Sequence, residues 1–260
     1  MRSSSASYVS WRSTEEITMV NSFLCSACLK TGNLSTDSEV GIIMTHSCKL
    51  CFWEDNKMKS EELLEQYLTK KYPQLAVNLS NEDKAFLSRY AIDRQQSNSV
   101  AMLKELGLGK SYDKYFRENE CARIVKDDIQ NIYQRFAVKQ NGKNDAPFSN
   151  DFSLFMEWWL SEMDNSGKCH CCYCGIDDET LRIAFDSGVV HSKKPSFSGN
   201  LQIERMDPNG GYCPENCKFA CVICNNAKSD MISRKDFEKY IAPSITKFWE
   251  HIKTDCLGVT

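Results

Sequence analysis

Apolar positions recur at helical spacing through the middle of the chain. Leu63, Leu64, Tyr67 and Leu68 follow Ser60, a side chain suited to capping a helix start. Phe86, Leu87 and Tyr90 predict a second helix. Met102, Leu103 and Leu106 predict a third, closed by Gly107, and Ile124, Ile129, Ile132, Tyr133 and Phe136 a fourth. The segment Ala101 to Asn119 carries Gly107-Leu-Gly109 between two helical patterns, the outline of a helix-turn-helix. Turn glycines are common, so a packed helical insertion is the preferred reading.

The pattern changes after Asn141-Gly-Lys-Asn-Asp-Ala-Pro147, a breaker stretch. Leu201 to Met206 reads as a short strand, Asp207-Pro-Asn-Gly-Gly211 as a turn, and Lys218 to Ala220 as a second strand. A helix then begins at Cys221. Asn225 lies three residues before Lys228 and four before Ser229, which predicts one shared helix face looking at the first strand. Ser233 to Asp236 forms a capping-box pattern. Beyond it, Phe237, Tyr240, Ile241, Ile245, Phe248, Trp249 and Ile252 make an apolar stripe with an expected kink at Pro243. Such a stripe suits the core or a dimer seam.

Composition adds one strong fact. Fourteen cysteines are too many for an ordinary intracellular enzyme and require either disulfides or metal sites. The polar, Ser-rich start from Met1 to Arg12 reads as a disordered leader without a secretory signal, and no apolar run reaches membrane-span length. Thiolate zinc sites in a cytoplasmic setting are therefore the expectation. The net charge of −3 gives no support to nucleic-acid binding and does not exclude a local basic face.

Cys25, Cys28, Cys48 and Cys51 form a CxxC pair, 19 residues and a second CxxC pair, close to four-thiolate ribbon spacing. His46 beside them is read as an ordinary loop residue. A second site pairs Cys171 and Cys174 with Cys221 and Cys224. The 46 residues between these pairs leave room for a small β-structure inside the zinc-closed loop. Cys169 and Cys172 share the CxxC spacing; Cys171 and Cys174 are preferred because Gly175 permits a tight knuckle turn. Cys213 and Cys217 remain as alternative ligands or loop thiols, and Cys121 and Cys256 as structural residues.

The segment Ile203 to Asp230 sets Glu204-Arg205, Gly211-Tyr212, Asn216, Cys221, Cys224-Asn225 and Lys228 in order. This arrangement resembles the HNH, or ββα-metal, nucleases. Within them it is most similar to the zinc-bound, rare-cutting Type II restriction endonucleases of the PacI type, which also carry an N-terminal CxxC knuckle. They share an aromatic helix, here Phe152 to Trp159, before the Cys171-to-Gly175 element. About 130 residues are covered.

The resemblance implies an α+β fold with a ββα-metal core on structural zinc. It divides the chain into a leader (1–19), an N-terminal four-cysteine zinc knuckle (20–56), a helical insertion (57–140) and a nuclease domain (141–260) with C-terminal helices. It also implies a site-specific endodeoxyribonuclease acting on double-stranded DNA as a homodimer. Glu204 and Asn225 would ligate a magnesium or manganese ion, Asn216 would brace the loop, and Lys228 would contact phosphate.

Two positions depart from the usual motif. Arg205 stands where a histidine base is common, and an arginine keeps its proton, so it suits a phosphate clamp. Water activation then falls to Tyr212, which lies within the motif, or else to His191 or the metal. Glu204 replaces an aspartate and keeps its charge. The competing readings are a homing or phage-type HNH nicking enzyme and a zinc-dependent nucleic-acid-binding protein that does not cut. For base reading, Lys193, Lys194, the N-terminal knuckle and the insertion are all candidates.

Overall fold

The computed structural model describes residues 49–109, 111–140, 147–193 and 199–258. The chain divides into two units, Met1–Asn56 and Lys57–Thr260. Of the first, only the start of a helix is described. The expected leader therefore lies outside the described residues, and so do the side chains of Cys25, Cys28, Cys48 and Cys51.

The second unit is mainly helical with one two-stranded sheet, an α+β arrangement. Helix α1 (Lys49–Lys71) runs straight through Ser60. That residue was expected to cap the helix; its buried hydroxyl instead donates back to the Lys57 carbonyl at 3.0 Å inside it. Helix α2 (Asn81–Leu87) begins at a capping box, with Ser80 accepting from Asp83 N while the Asp83 carboxylate accepts from Ser80 N. It continues as a wider turn, Ser88–Ile92. Helices α3 (Ser99–Glu105) and α4 (Tyr112–Glu118) follow, separated by Gly107 at φ +71°, a backbone conformation that favours glycine. Met102, Leu103, Tyr115 and Phe116 are buried, so one face of this pair packs into the core.

Helix α5 (Glu120–Gln140) is the long strut of this region. Asn119 accepts from Ala122 N at 3.0 Å at its start. Phe136 and Tyr133 pack on Phe152 of α6 (Phe152–Glu162) with ring centroids 5.6 and 5.0 Å apart. From there the aromatic contacts continue through Phe155 and Trp158 to Phe219 on the sheet. One apolar cluster thus runs from Leu63 to Ile252, and residues 57–140 share it with the cysteine-bearing segment.

Helix α7 (Asp178–Asp186) precedes strands β1 (Gln202–Arg205) and β2 (Cys217–Ala220), which pair antiparallel with Glu204 opposite Lys218. Helix α8 (Val222–Lys228) follows at once, completing a strand–strand–helix unit. The expected kinked tail is two helices, α9 (Arg234–Tyr240) and α10 (Ala242–His251). Pro243 sits in the first turn of α10, where its missing N–H costs nothing, so it starts a helix instead of bending one. The apolar stripe splits accordingly: Phe237, Ile245 and Trp249 are buried, while Tyr240 and Phe248 are exposed. Among the described residues no helix is long and apolar enough to cross a membrane.

Candidate metal centre and hairpin site

The four sulfurs of Cys171, Cys174, Cys221 and Cys224 lie within 4.8 Å of one another, and all four residues are buried. Two tight turns bring them together. Gly175, at φ +72°, lets its N–H reach the Cys171 carbonyl at 2.9 Å and closes the first knuckle. At the second, Cys221 caps α8, its sulfur accepting from Cys224 N at 3.4 Å. Cys172 N donates to the Phe219 carbonyl at 2.8 Å and docks the first knuckle on β2.

The donor set fits zinc. Tetrahedral bonds of about 2.3 Å place thiolates about 3.8 Å apart, and Cys174 Sγ lies 3.7 Å from Cys221 Sγ. Hydrogen bonds from its three neighbours hold the Cys171 thiol low. A divalent cation would stabilise all four sulfurs as thiolates.

The structure also decides the register between the two overlapping CxxC pairs. Cys169 turns away into an antiparallel bridge with Met163, and burial pushes its thiol up to about 12. Burial also raises Cys172. Neither joins the cluster, nor do Cys213 and Cys217; Cys217 N donates to the Cys213 carbonyl at 3.0 Å at the mouth of the hairpin.

Side chains alternate across β1, so Gln202 and Glu204 share the face toward α8. Asn225 Nδ2 donates to Gln202 Oε1 at 2.6 Å, and Lys228 Nζ donates to Glu204 Oε1 at 2.8 Å. Tyr173, from the first knuckle, reaches Glu204 Oε1 at 3.5 Å. Lys228 was expected at the phosphate; the structure puts its ammonium inside the protein, paired with Glu204. The predicted shared face holds for Asn225 and Lys228 only. Ser229 turns out of the helix at φ +48°.

The other motif residues cluster at the hairpin loop, around Arg205 at the end of β1. The Arg205 guanidinium carbon lies 5.1 Å from the Tyr212 ring centroid, and Nη1 donates to the Gly210 carbonyl at 3.3 Å. Asn216 spans the hairpin loop: its Oδ1 accepts from Asp207 N at 2.9 Å, and its Nδ2 donates to the Asp207 and Gly211 carbonyls at 3.0 Å each. Glu204 and Lys228 thus form one set of contacts and Arg205 and Tyr212 a second, with Asn216 bracing the hairpin loop next to them. His191 is an exposed residue after α7 and belongs to neither.

Two contributors were not anticipated. Tyr173 sits inside the first cysteine knuckle, where the CxxC spacing gives it no signal of its own. Lys139 comes from α5 and donates to the Tyr212 hydroxyl at 3.2 Å; residues 73 positions apart leave no local signal. A polar cavity of about 470 Å³ opens elsewhere, beside Asn200 and Leu201. Three of its four cations are engaged with the wall, Lys168 with Glu179 at 2.7 Å, Lys71 with Asp178 at 3.6 Å and Arg135 with the Leu201 carbonyl at 3.2 Å.

No protein-family model matches the chain, and no curated protein matches it. Among solved structures, the chain is similar to the rare-cutting HNH restriction endonuclease PacI. The identity is 26%, covering 50% of this chain and 80% of that one, with a TM-score of 0.37.

Proposed function

We propose that the chain is an HNH-type endodeoxyribonuclease, a metal-dependent phosphodiester hydrolase of the Type II restriction kind. It would act as a homodimer on a short palindromic site in double-stranded DNA, since a two-fold site suits a two-fold protein. The observation that carries this reading is the strand–strand–helix unit. There the β1 face bearing Glu204 meets the α8 face bearing Asn225 and Lys228, directly beside a buried four-cysteine cluster.

The cluster of Cys171, Cys174, Cys221 and Cys224 would hold a structural zinc, and a cytoplasmic, reducing setting would keep its thiolates available. Cys25, Cys28, Cys48 and Cys51 would hold a second. Glu204 and Asn225 offer hard oxygen donors of the kind magnesium and manganese prefer. The Asn225 amide already spends its nitrogen on Gln202, which leaves its oxygen to face such an ion. That ion, when bound, supplies Lewis acidity at the scissile phosphate.

The chain's own residues do the rest. Lys228, buried against Glu204, orients the carboxylate and offsets its charge, a different task from the phosphate contact expected of it. Arg205 clamps phosphate oxygens with its planar guanidinium. Tyr212 takes the proton of the attacking water. Asn216 holds the loop between Asp207 and Gly211 that carries Tyr212's backbone into place.

One observation favours a second reading. A Glu204 carboxylate already satisfied by a buried ammonium is also what a zinc-stabilised, non-cutting nucleic-acid-binding protein would contain. Incubation with varied plasmid DNA and magnesium separates the two. Discrete linear fragments support the restriction enzyme, nicked circles alone support a nicking or homing type, and intact DNA with every divalent ion leaves the binding protein. Asn225→Ala is expected to abolish cutting with zinc content unchanged; continued cutting would remove Asn225 from the metal site.

A further inference from the structure

The helical region contributes a side chain to the hairpin site. Lys139 Nζ donates to the Tyr212 hydroxyl at 3.2 Å and lies 4.6 Å from its ring centroid. Arg205 flanks the same ring at 5.1 Å, and Phe148 N donates to the Tyr212 carbonyl at 2.8 Å. The phenol is therefore placed by two cations and a backbone bond.

The placement of Lys139 is itself enforced. Arg135, one turn earlier on the same face of α5, donates to the Leu201 carbonyl at 3.2 Å and to Asn200 Oδ1 at 3.0 Å. Its guanidinium carbon also lies 5.2 Å from the Trp159 ring centroid. Between them, Phe136 is buried against Phe152 and Phe155 of α6. Arg135 thus fixes α5 at the entry to β1, and a helix rising about 1.5 Å per residue carries Lys139 about 6 Å further along, to Tyr212.

We propose that Lys139 is a positioning residue for phosphodiester cleavage: it orients the Tyr212 hydroxyl and sets a fixed positive charge against its oxygen. The inference rests on the nuclease reading above. In the step it serves, the Tyr212 oxygen, having passed its own proton to solvent, accepts a proton from the attacking water. The water oxygen bonds to phosphorus as the bond from phosphorus to the sugar oxygen breaks, and solvent protonates the departing alkoxide. A charge-assisted hydrogen bond to the phenolic oxygen stabilises the base in the orientation this transfer needs.

The test is a double-mutant cycle on the full chain, read by single-turnover cleavage of supercoiled plasmid in magnesium. Lys139→Met is expected to slow cleavage by about 10- to 100-fold, the usual range for losing a hydrogen bond to a charged group. Lys139→Arg, which keeps donor and charge, restores most of the rate. In a Tyr212→Phe background the Lys139→Met change adds no further loss. A carbon-13 label at tyrosine Cζ gives a readout independent of activity. The Tyr212 resonance, assigned by its disappearance in Tyr212→Phe, is expected to move in Lys139→Met and not in a distant surface-lysine variant.

A full extra loss in the Tyr212→Phe background would put Lys139 directly on DNA phosphates and overturn the inference. An unshifted Tyr212 resonance, or a Lys139→Met enzyme at the unmodified rate, would also overturn it. If methionine unfolds the chain, Lys139→Gln, a neutral donor, takes its place in the cycle with the same expectations. Absence of cleavage by the unmodified protein with every divalent ion overturns the nuclease reading itself, whereas cleavage with an additive cycle overturns only the role of Lys139.

Discussion

Lys228 Nζ meets Glu204 Oε1 at 2.8 Å with the two side chains only 1% and 9% exposed. Such a pair is sustained by its partners: both charges have left water, and each is compensated by the other. Removing one therefore leaves the other buried and alone. Lys228→Met is expected to destabilise the protein by about 3–5 kcal/mol, measured by urea unfolding. Adding Glu204→Gln to it should recover most of that loss, because no buried charge then remains. A Lys228→Met protein as stable as the unmodified one would mean that Glu204 finds water or another cation in solution.

The cysteine register gives a sharper chemical test. Cys171→Ser and Cys224→Ser are expected to lose one zinc per chain and to unfold the segment around the hairpin, since a structural zinc contributes on the order of 10 kcal/mol to such a fold. Cys169→Ser and Cys172→Ser should keep it. Metal content by plasma mass spectrometry with far-ultraviolet circular dichroism decides this, and zinc loss in Cys172→Ser would restore the overlapping register.

The hairpin loop is sterically tight at one point. A Cβ built on Gly210 would lie 2.6 Å from Asn216 Nδ2, the group that ties Asp207 to Gly211. Gly210→Ala should therefore displace the Asn216 amide and cost about 1–3 kcal/mol. Cleavage should fall further than stability does, because the same loop carries Tyr212. Matched thermal melts and cleavage rates on this variant compare the two effects directly.

A pH dependence follows from Asp177, the N-cap of α7. Burial acts to raise its pKa, but hydrogen bonds from Thr180 and the charges of Lys168 and Lys253 outweigh this and hold it below its ordinary range. A depressed carboxylate stabilises the fold above its unfolded pKa, and that contribution is lost as pH falls through the folded value. Asp177→Asn keeps the cap and loses the charge. The unmodified protein should melt above this variant at neutral pH, and the gap should close below about pH 4. A gap unchanged between pH 7 and pH 3 would show that the charge contributes nothing.

Much of the site was readable because its parts are close in sequence. A strand, a turn and a second strand carry Glu204 to Ala220, and a CxxC turn leads into α8, so local chemistry alone predicts the hairpin and the helix that faces it. Spacing likewise pairs Cys221 with Cys224. Chain-local patterns were less reliable wherever burial took over. Ser60 looks like a helix cap because serine often is one, yet packing on the Leu63–Leu68 side extends the helix past it and folds its hydroxyl back on Lys57. Pro243 looks like a kink and instead opens a helix.

Residue order determined which groups could assemble here: four cysteines that could hold zinc, and a carboxylate, an arginine, an amide and a lysine within one hairpin and the helix after it. Tertiary structure decided which of these groups meet. Strand alternation separated Glu204 from Arg205, although they are neighbours in the chain. Burial turned Lys228 inward to neutralise Glu204, and the packing of α5 on α6 delivered Lys139 to Tyr212. The physical reason is that spacing along the chain encodes short-range geometry. Whether a charge faces water or a partner depends instead on which distant elements exclude the solvent around it.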